Sequence, residues 1–67
     1  MKPFYIGVHR NHFNGKWEAN IYVNGEPKFL GYFDTEIEAA KAYNEAAKIH
    51  YKDFAVLNII PGEENET

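Results

Sequence analysis

The sequence predicts an α+β fold: a three-stranded antiparallel sheet, a meander, packed on one C-terminal α-helix. Three observations carry this. Residues 16–23, Lys-Trp-Glu-Ala-Asn-Ile-Tyr-Val, alternate strictly between apolar and polar positions, the period of a half-buried strand. Two Asn-Gly pairs, Asn14-Gly15 and Asn24-Gly25, separate the apolar runs of the first half, and Asn-Gly accepts the positive φ angles of a type I′ hairpin turn. Thr35-Glu36-Ile37-Glu38 then has the spacing of a capping box ahead of a long helical pattern, in which the Thr hydroxyl and the Glu carboxylate each satisfy a free backbone N–H.

The elements follow in order. Phe4 to Arg10 is rich in aromatic and β-branched residues and reads as the first strand. The second places Trp17, Ala19, Ile21 and Val23 on a core face and Lys16, Glu18, Asn20 and Tyr22 on the other. Lys28 to Phe33 is the third. The helix is placed at about residues 36–51. At about 100° per residue, Ile37, Ala39, Ala40, Ala42, Tyr43, Ala46, Ala47, Ile49, His50 and Tyr51 cover one broad side. Glu38, Lys41, Glu45, Lys48 and Lys52 form a charged stripe opposite. The five alanines let the helix lie close to the sheet, and Trp17, Ile21 and Leu30 supply bulk. Asp53 to Ile60 returns extended, with Phe54, Val56 and Leu57 closing the core edge. One helix covers one face of such a sheet, so the face carrying Glu18, Asn20 and Tyr22 is left for solvent or a partner.

Sixty-seven residues hold one small domain, assigned to residues 1–60, followed by an acidic disordered tail at 61–67. There are no cysteines, so neither a disulfide nor a cysteine-ligated zinc holds the fold. No apolar run approaches the roughly 20 residues of a membrane span, which predicts an intracellular protein of the cytoplasm, nucleoid or nucleus, without a membrane partner. The net charge of −3 comes from the tail glutamates Glu63, Glu64 and Glu66, because residues 1–60 balance. Residues 1–33 are net +2 and residues 34–60 net −2. A dense basic patch is lacking.

Chemistry-bearing residues are few. His9 and His12 sit three apart near the first turn without further ligands, so no metal is expected. His50 reads as a packed or edge histidine. No Ser/His/Asp set or carboxylate pair shares a pocket, and the chain is short for an enzyme. Neither a cofactor nor a small-molecule substrate is predicted.

The run Tyr5-Ile6-Gly7-Val8, Gly15-Lys16-Trp17-Glu18-Ala19-Asn20-Ile21, Phe29-Leu30-Gly31-Tyr32-Phe33-Asp34-Thr35, Glu38-Ala39-Ala40, Ala42-Tyr43 and Leu57-Asn58 resembles the plant Apetala-two/ethylene-response-factor DNA-binding domain. It is closer still to the version in phage and bacterial homing endonucleases. The resemblance covers about residues 4–60. It implies a sheet whose uncovered face enters the major groove of double-stranded DNA. On that face the chain departs from the family's pattern. Ile6 and His9 stand at arginine positions of the first strand, and Glu18 at an arginine position of the endonuclease type. Asn20 stands for the base-reading Glu or Gln, and Tyr22 for a following arginine. Pro27 replaces a basic residue, and Phe29 replaces a reading Trp or His.

The partner face is therefore assigned to His9, Arg10, Lys16, Glu18, Asn20, Tyr22, Lys28 and Phe29. Asn20 suits a bidentate adenine contact, and Arg10, Lys16 and Lys28 suit phosphates. By the family's face assignment Tyr22, Phe29 and Ile6 form an apolar cluster on the same face, whereas strict alternation puts Ile6 with core-like Val8. Two readings stay open. One is a small standalone DNA-binding domain. The other is a protein-interaction module on the same scaffold, such as a phage-encoded inhibitor binding a protein through its aromatic sheet face.

Overall fold

The computed structural model describes residues 5–62. Three strands, β1 (Val8–Arg10), β2 (Trp17–Val23) and β3 (Glu26–Phe33), form an antiparallel sheet in the order β1-β2-β3. The helix α1 (Glu36–Tyr51) follows, then a 3-10 turn at Lys52–Phe54 and an irregular segment. This is the predicted meander on one helix. The helix starts where the capping box puts it. Thr35 Oγ1 accepts from the Glu38 N–H at 3.2 Å, and Glu38 Oε1 accepts from the Thr35 N–H at 3.1 Å. No helix among the described residues is long and apolar enough to cross a membrane. Tail residues 63–67 lie outside the described residues, as does Phe4.

The two Asn-Gly pairs behave differently. Asn24 and Gly25 have φ of 53° and 81°, so they make the type I′ turn between β2 and β3. Asn14-Gly15 does not; of that pair only Gly15 has a positive φ. The Asn11 side chain captures this loop first, accepting from the N–H groups of Phe13 at 2.8 Å and Asn14 at 3.0 Å. Its backbone closes the loop, taking the Gly15 N–H at 2.9 Å and donating to the Lys16 carbonyl at 2.8 Å. An Asx turn thus replaces the expected two-residue hairpin.

β1 is shorter than predicted because Gly7, with φ +74°, bends the chain ahead of Val8. The Gly7 carbonyl accepts from the Asn20 N–H at 2.9 Å. A side chain there would run into the Asn20 carbonyl and the Tyr43 ring.

The core is thin. Among the described residues, Ile21 and Ile60 are the large apolar side chains buried to 2% or less; Ile21 packs with Tyr43, Ala46 and Ala47, and Val23, Leu30 and Ala55 close around them. Burial lifts the Tyr43 hydroxyl above its ordinary value of 10.0, and Tyr51 adds in the same direction. The predicted alanine face is correct for Ala39, Ala40, Ala46 and Ala47, but its C-terminal end is not. Ile49 and His50 are exposed. There the Tyr51 hydroxyl donates to the Tyr22 carbonyl. Trp17 is only partly buried, with the Arg10 guanidinium 5.2 Å from its ring centroid.

The C-terminal segment also differs from expectation. Phe54, Val56 and Leu57 are exposed, while Ala55, Asn58 and Ile60 turn inward. The phase is set by Asn58. Its N–H donates to Asn44 Oδ1 at 2.7 Å and its carbonyl accepts from Asn44 Nδ2 at 2.9 Å. Its own amide then grips Ile6, accepting from the Ile6 N–H at 2.6 Å and donating to the Ile6 carbonyl at 3.1 Å.

Candidate functional site

The helix covers one face of the sheet, and strand pairing decides which side chains occupy the other. Residues directly opposite each other in an antiparallel pair share a face. Glu18, Asn20 and Tyr22 run down the centre of the open face on β2. His9 is opposite Glu18 on β1, while Tyr32, Phe29 and Pro27 are opposite Glu18, Asn20 and Tyr22 on β3.

Phe29 owes its place to a bulge. Ala19 pairs with Gly31 and Asn20 with Phe29, so Leu30 is an extra residue on β3. Continuing the alternation back from Tyr32 would send Leu30 outward and Phe29 into the core. The bulge reverses both, which is the re-aiming that such irregularities provide. Leu30 reaches the core cluster, and Phe29 is 58% exposed. Its ring meets Tyr32 edge-on, with centroids 5.0 Å apart. With Tyr22 at 61% and Tyr32 at 47% exposure, the open face carries an apolar surface; Ile6, expected in that cluster, precedes β1 and takes no part in its cross-strand pairs. Tyr32 was not among the predicted site residues; its pairing with Glu18 is what reveals it.

Asn20 Nδ2 donates to Glu18 Oε2 at 2.8 Å. The two residues, one strand repeat apart, therefore form a unit in the middle of the face. The Asn20 backbone N–H donates to the Gly7 carbonyl.

Two of the basic residues expected beside them lie elsewhere. Arg10 pairs with Trp17 and Lys28 with Ile21, so both have the strand parity of the helix side. Lys28 Nζ is 3.8 Å from Glu26 Oε1. Lys16, at the head of β2, is bonded to Asp34 Oδ1 at 2.6 Å; this hydrogen bond, and then the ammonium charge, holds the Asp34 carboxyl below its ordinary value. The structure thus gathers His9, Glu18, Asn20, Tyr22 and Phe29 on the open face and holds Arg10, Lys16 and Lys28 around it. Among the described residues no three His, Cys, Asp or Glu side chains are grouped to hold a metal ion.

No model of a known family matches the chain. Curated relatives are transcription factors of the Apetala-two/ethylene-response-factor type from plants. The chain is 46% identical over 50 residues to the ethylene-responsive transcription factor WRI1 of Arabidopsis thaliana, an alignment covering 72% of this chain and 11% of that protein. It is 37% identical over 62 residues to the AP2-like ethylene-responsive transcription factor TOE2 of the same plant, covering 92% of the chain and 13% of the relative. It is 49% identical over 45 residues to the AP2-like ethylene-responsive transcription factor CRL5 of Oryza sativa subsp. japonica, covering 64% and 7%. The chain spans about a tenth of the length of these relatives.

Proposed function

We propose that this chain is an Apetala-two/ethylene-response-factor type domain that binds double-stranded DNA by laying the open face of its sheet in the major groove. The observation that carries the reading is the uncovered face itself, on a scaffold whose relatives are transcription factors. Strands about 4.8 Å apart put the outer two of three about 10 Å from each other, which suits a groove about 12 Å wide. Base readout falls to Asn20, with Phe29 and Tyr22 beside it. Phosphate contacts fall to Lys16, Lys28 and Arg10 at the margins. Such a protein works where the genome is, in a nucleus or nucleoid. The likeness to the homing-endonuclease version of the domain belongs to the same proposal.

With two or three phosphate contacts, log affinity falls by about 0.9 per contact for each decade of salt. The test is a fluorescence-anisotropy titration of a labelled duplex of mixed sequence at low and physiological salt. Salt-dependent binding is expected; absence of any duplex binding at low salt refutes the reading. One observation favours a protein partner instead, namely the exposed rings of Tyr22, Phe29 and Tyr32, since aromatic residues are enriched at protein interfaces. None of the relatives supports an inhibitor role, and nuclease treatment of a pulldown separates the two.

A further inference from the structure

We infer that the open face prefers A·T over G·C base pairs, with Asn20 on adenine and the Phe29 and Tyr22 rings on thymine methyl groups. The inference rests on the duplex-DNA reading above and names the base chemistry that face can accept.

Guanine is read best by Arg or Lys, bidentate to its O6 and N7. The chain has one arginine, and it lies over the Trp17 ring with the strand parity of the covered face. Lys28 has that parity too, and the Lys16 ammonium is bonded to Asp34. Among the described residues, the cross-strand pairs of the open face contain neither arginine nor lysine. Its remaining donors are the Asn20 amide, His9 and the Tyr22 and Tyr32 hydroxyls, none of which offers the bidentate donor fork that guanine O6 and N7 favour.

Asn20 is set for adenine. A carboxylate only accepts, so the amide group facing Glu18 Oε2 is the nitrogen. One N–H is spent on that bond. The carbonyl oxygen and the second N–H remain, and these are the acceptor and donor that the adenine N6 and N7 edge requires. Phe29 lies directly across from Asn20, and Tyr22 is two residues along β2. That step is about 6.7 Å, close to two base-pair rises of about 3.4 Å. Apolar rings at those positions meet the one apolar feature of the major-groove edges, the thymine C5-methyl. The competing outcome is cytosine, whose N4–H₂ could donate to Glu18, although one oxygen of that carboxylate is already occupied.

The experiment compares duplexes of equal length by anisotropy: an A·T tract, the same tract with deoxyuridine in place of thymine, and a G·C tract. The wild-type protein is expected to bind A·T about tenfold more tightly than G·C. Deoxyuridine is expected to weaken binding about fourfold for each methyl contacted. Asn20→Ala lowers the A·T preference to the part that the thymine methyls supply and keeps the deoxyuridine effect; Phe29→Ala with Tyr22→Ala abolishes the deoxyuridine effect. Circular dichroism establishes that the variants fold, and the duplex series with the unaltered protein stands even where one does not. Equal affinity for the two tracts, or preference for G·C, overturns the inference and leaves the duplex reading intact. Failure to bind any duplex overturns that reading and the inference with it.

Discussion

Asn44 on the helix and Asn58 in the C-terminal segment exchange two hydrogen bonds, with the Asn44 side-chain amide pairing both backbone polar groups of Asn58. The Asn58 side chain repeats the device on Ile6. Two asparagines thereby do for the chain ends what a fourth strand would do. Asn44→Ala leaves the Asn58 N–H and C=O without these partners, and each buried group so orphaned costs about 1–3 kcal/mol. Urea unfolding is expected to show a loss of about 2–4 kcal/mol; a loss under 0.5 kcal/mol would mean that water replaces the clasp freely.

Gly7→Ala is expected to be worse than its one added methyl suggests. At φ +74° an L side chain is strained by about 1–2 kcal/mol, and its Cβ meets the Tyr43 ring and the Asn20 carbonyl. For a domain this small, about 2 kcal/mol lowers the melting temperature by roughly 10 °C. A melt within about 2 °C of wild type contradicts the close approach.

Thr35→Ala removes the cap that holds Glu38 and is expected to cost about 1 kcal/mol. Thr35 is outside the open face, so duplex affinity of the folded variant should stay unchanged. A binding loss without a stability loss would put the loop before the helix in the interface.

Asp34 has a folded-state carboxyl held below its ordinary 3.8 by Lys16. A depressed carboxylate adds stability that is present above that ordinary value and is lost as pH falls through the lower folded-state one. Asp34→Asn should therefore lessen slightly the loss of stability expected as pH falls below 3.8. Lys16→Ala removes the ammonium itself, so the salt slope of duplex binding should become shallower by about one unit. An unchanged slope would place Lys16 away from phosphate.

The parts legible in the sequence were those specified by neighbours in the chain. Asn24-Gly25 needs only itself to turn, and Thr35 with Glu38 needs only one helical turn to cap. Long-range or competing effects were hidden. Asn11 claims the amides that Asn14-Gly15 would have organised. The bulge at Leu30 inverts the facing of Phe29, which reached the open face through pairing rather than alternation. Phe54, Val56 and Leu57 looked like core by composition, yet Asn58, bonded to a helix residue 14 positions back, fixes the opposite phase. The open face was foreseen because one helix cannot cover two sides of a sheet. Its lost arginines were legible in the sequence at His9, Glu18 and Tyr22; that Arg10 and Lys28 have the parity of the covered face became visible only with the strand register.

The central claim, that the open sheet face binds duplex DNA, is tested most directly by an NMR titration of the ¹⁵N-labelled protein with a duplex. The account predicts shifts in the amide signals of His9, Glu18, Asn20, Tyr22, Phe29 and Tyr32, while the helix stripe of Glu38, Lys41, Glu45 and Lys48 stays still. Shifts confined to that stripe, or to the exposed Phe54 and Val56, would contradict it.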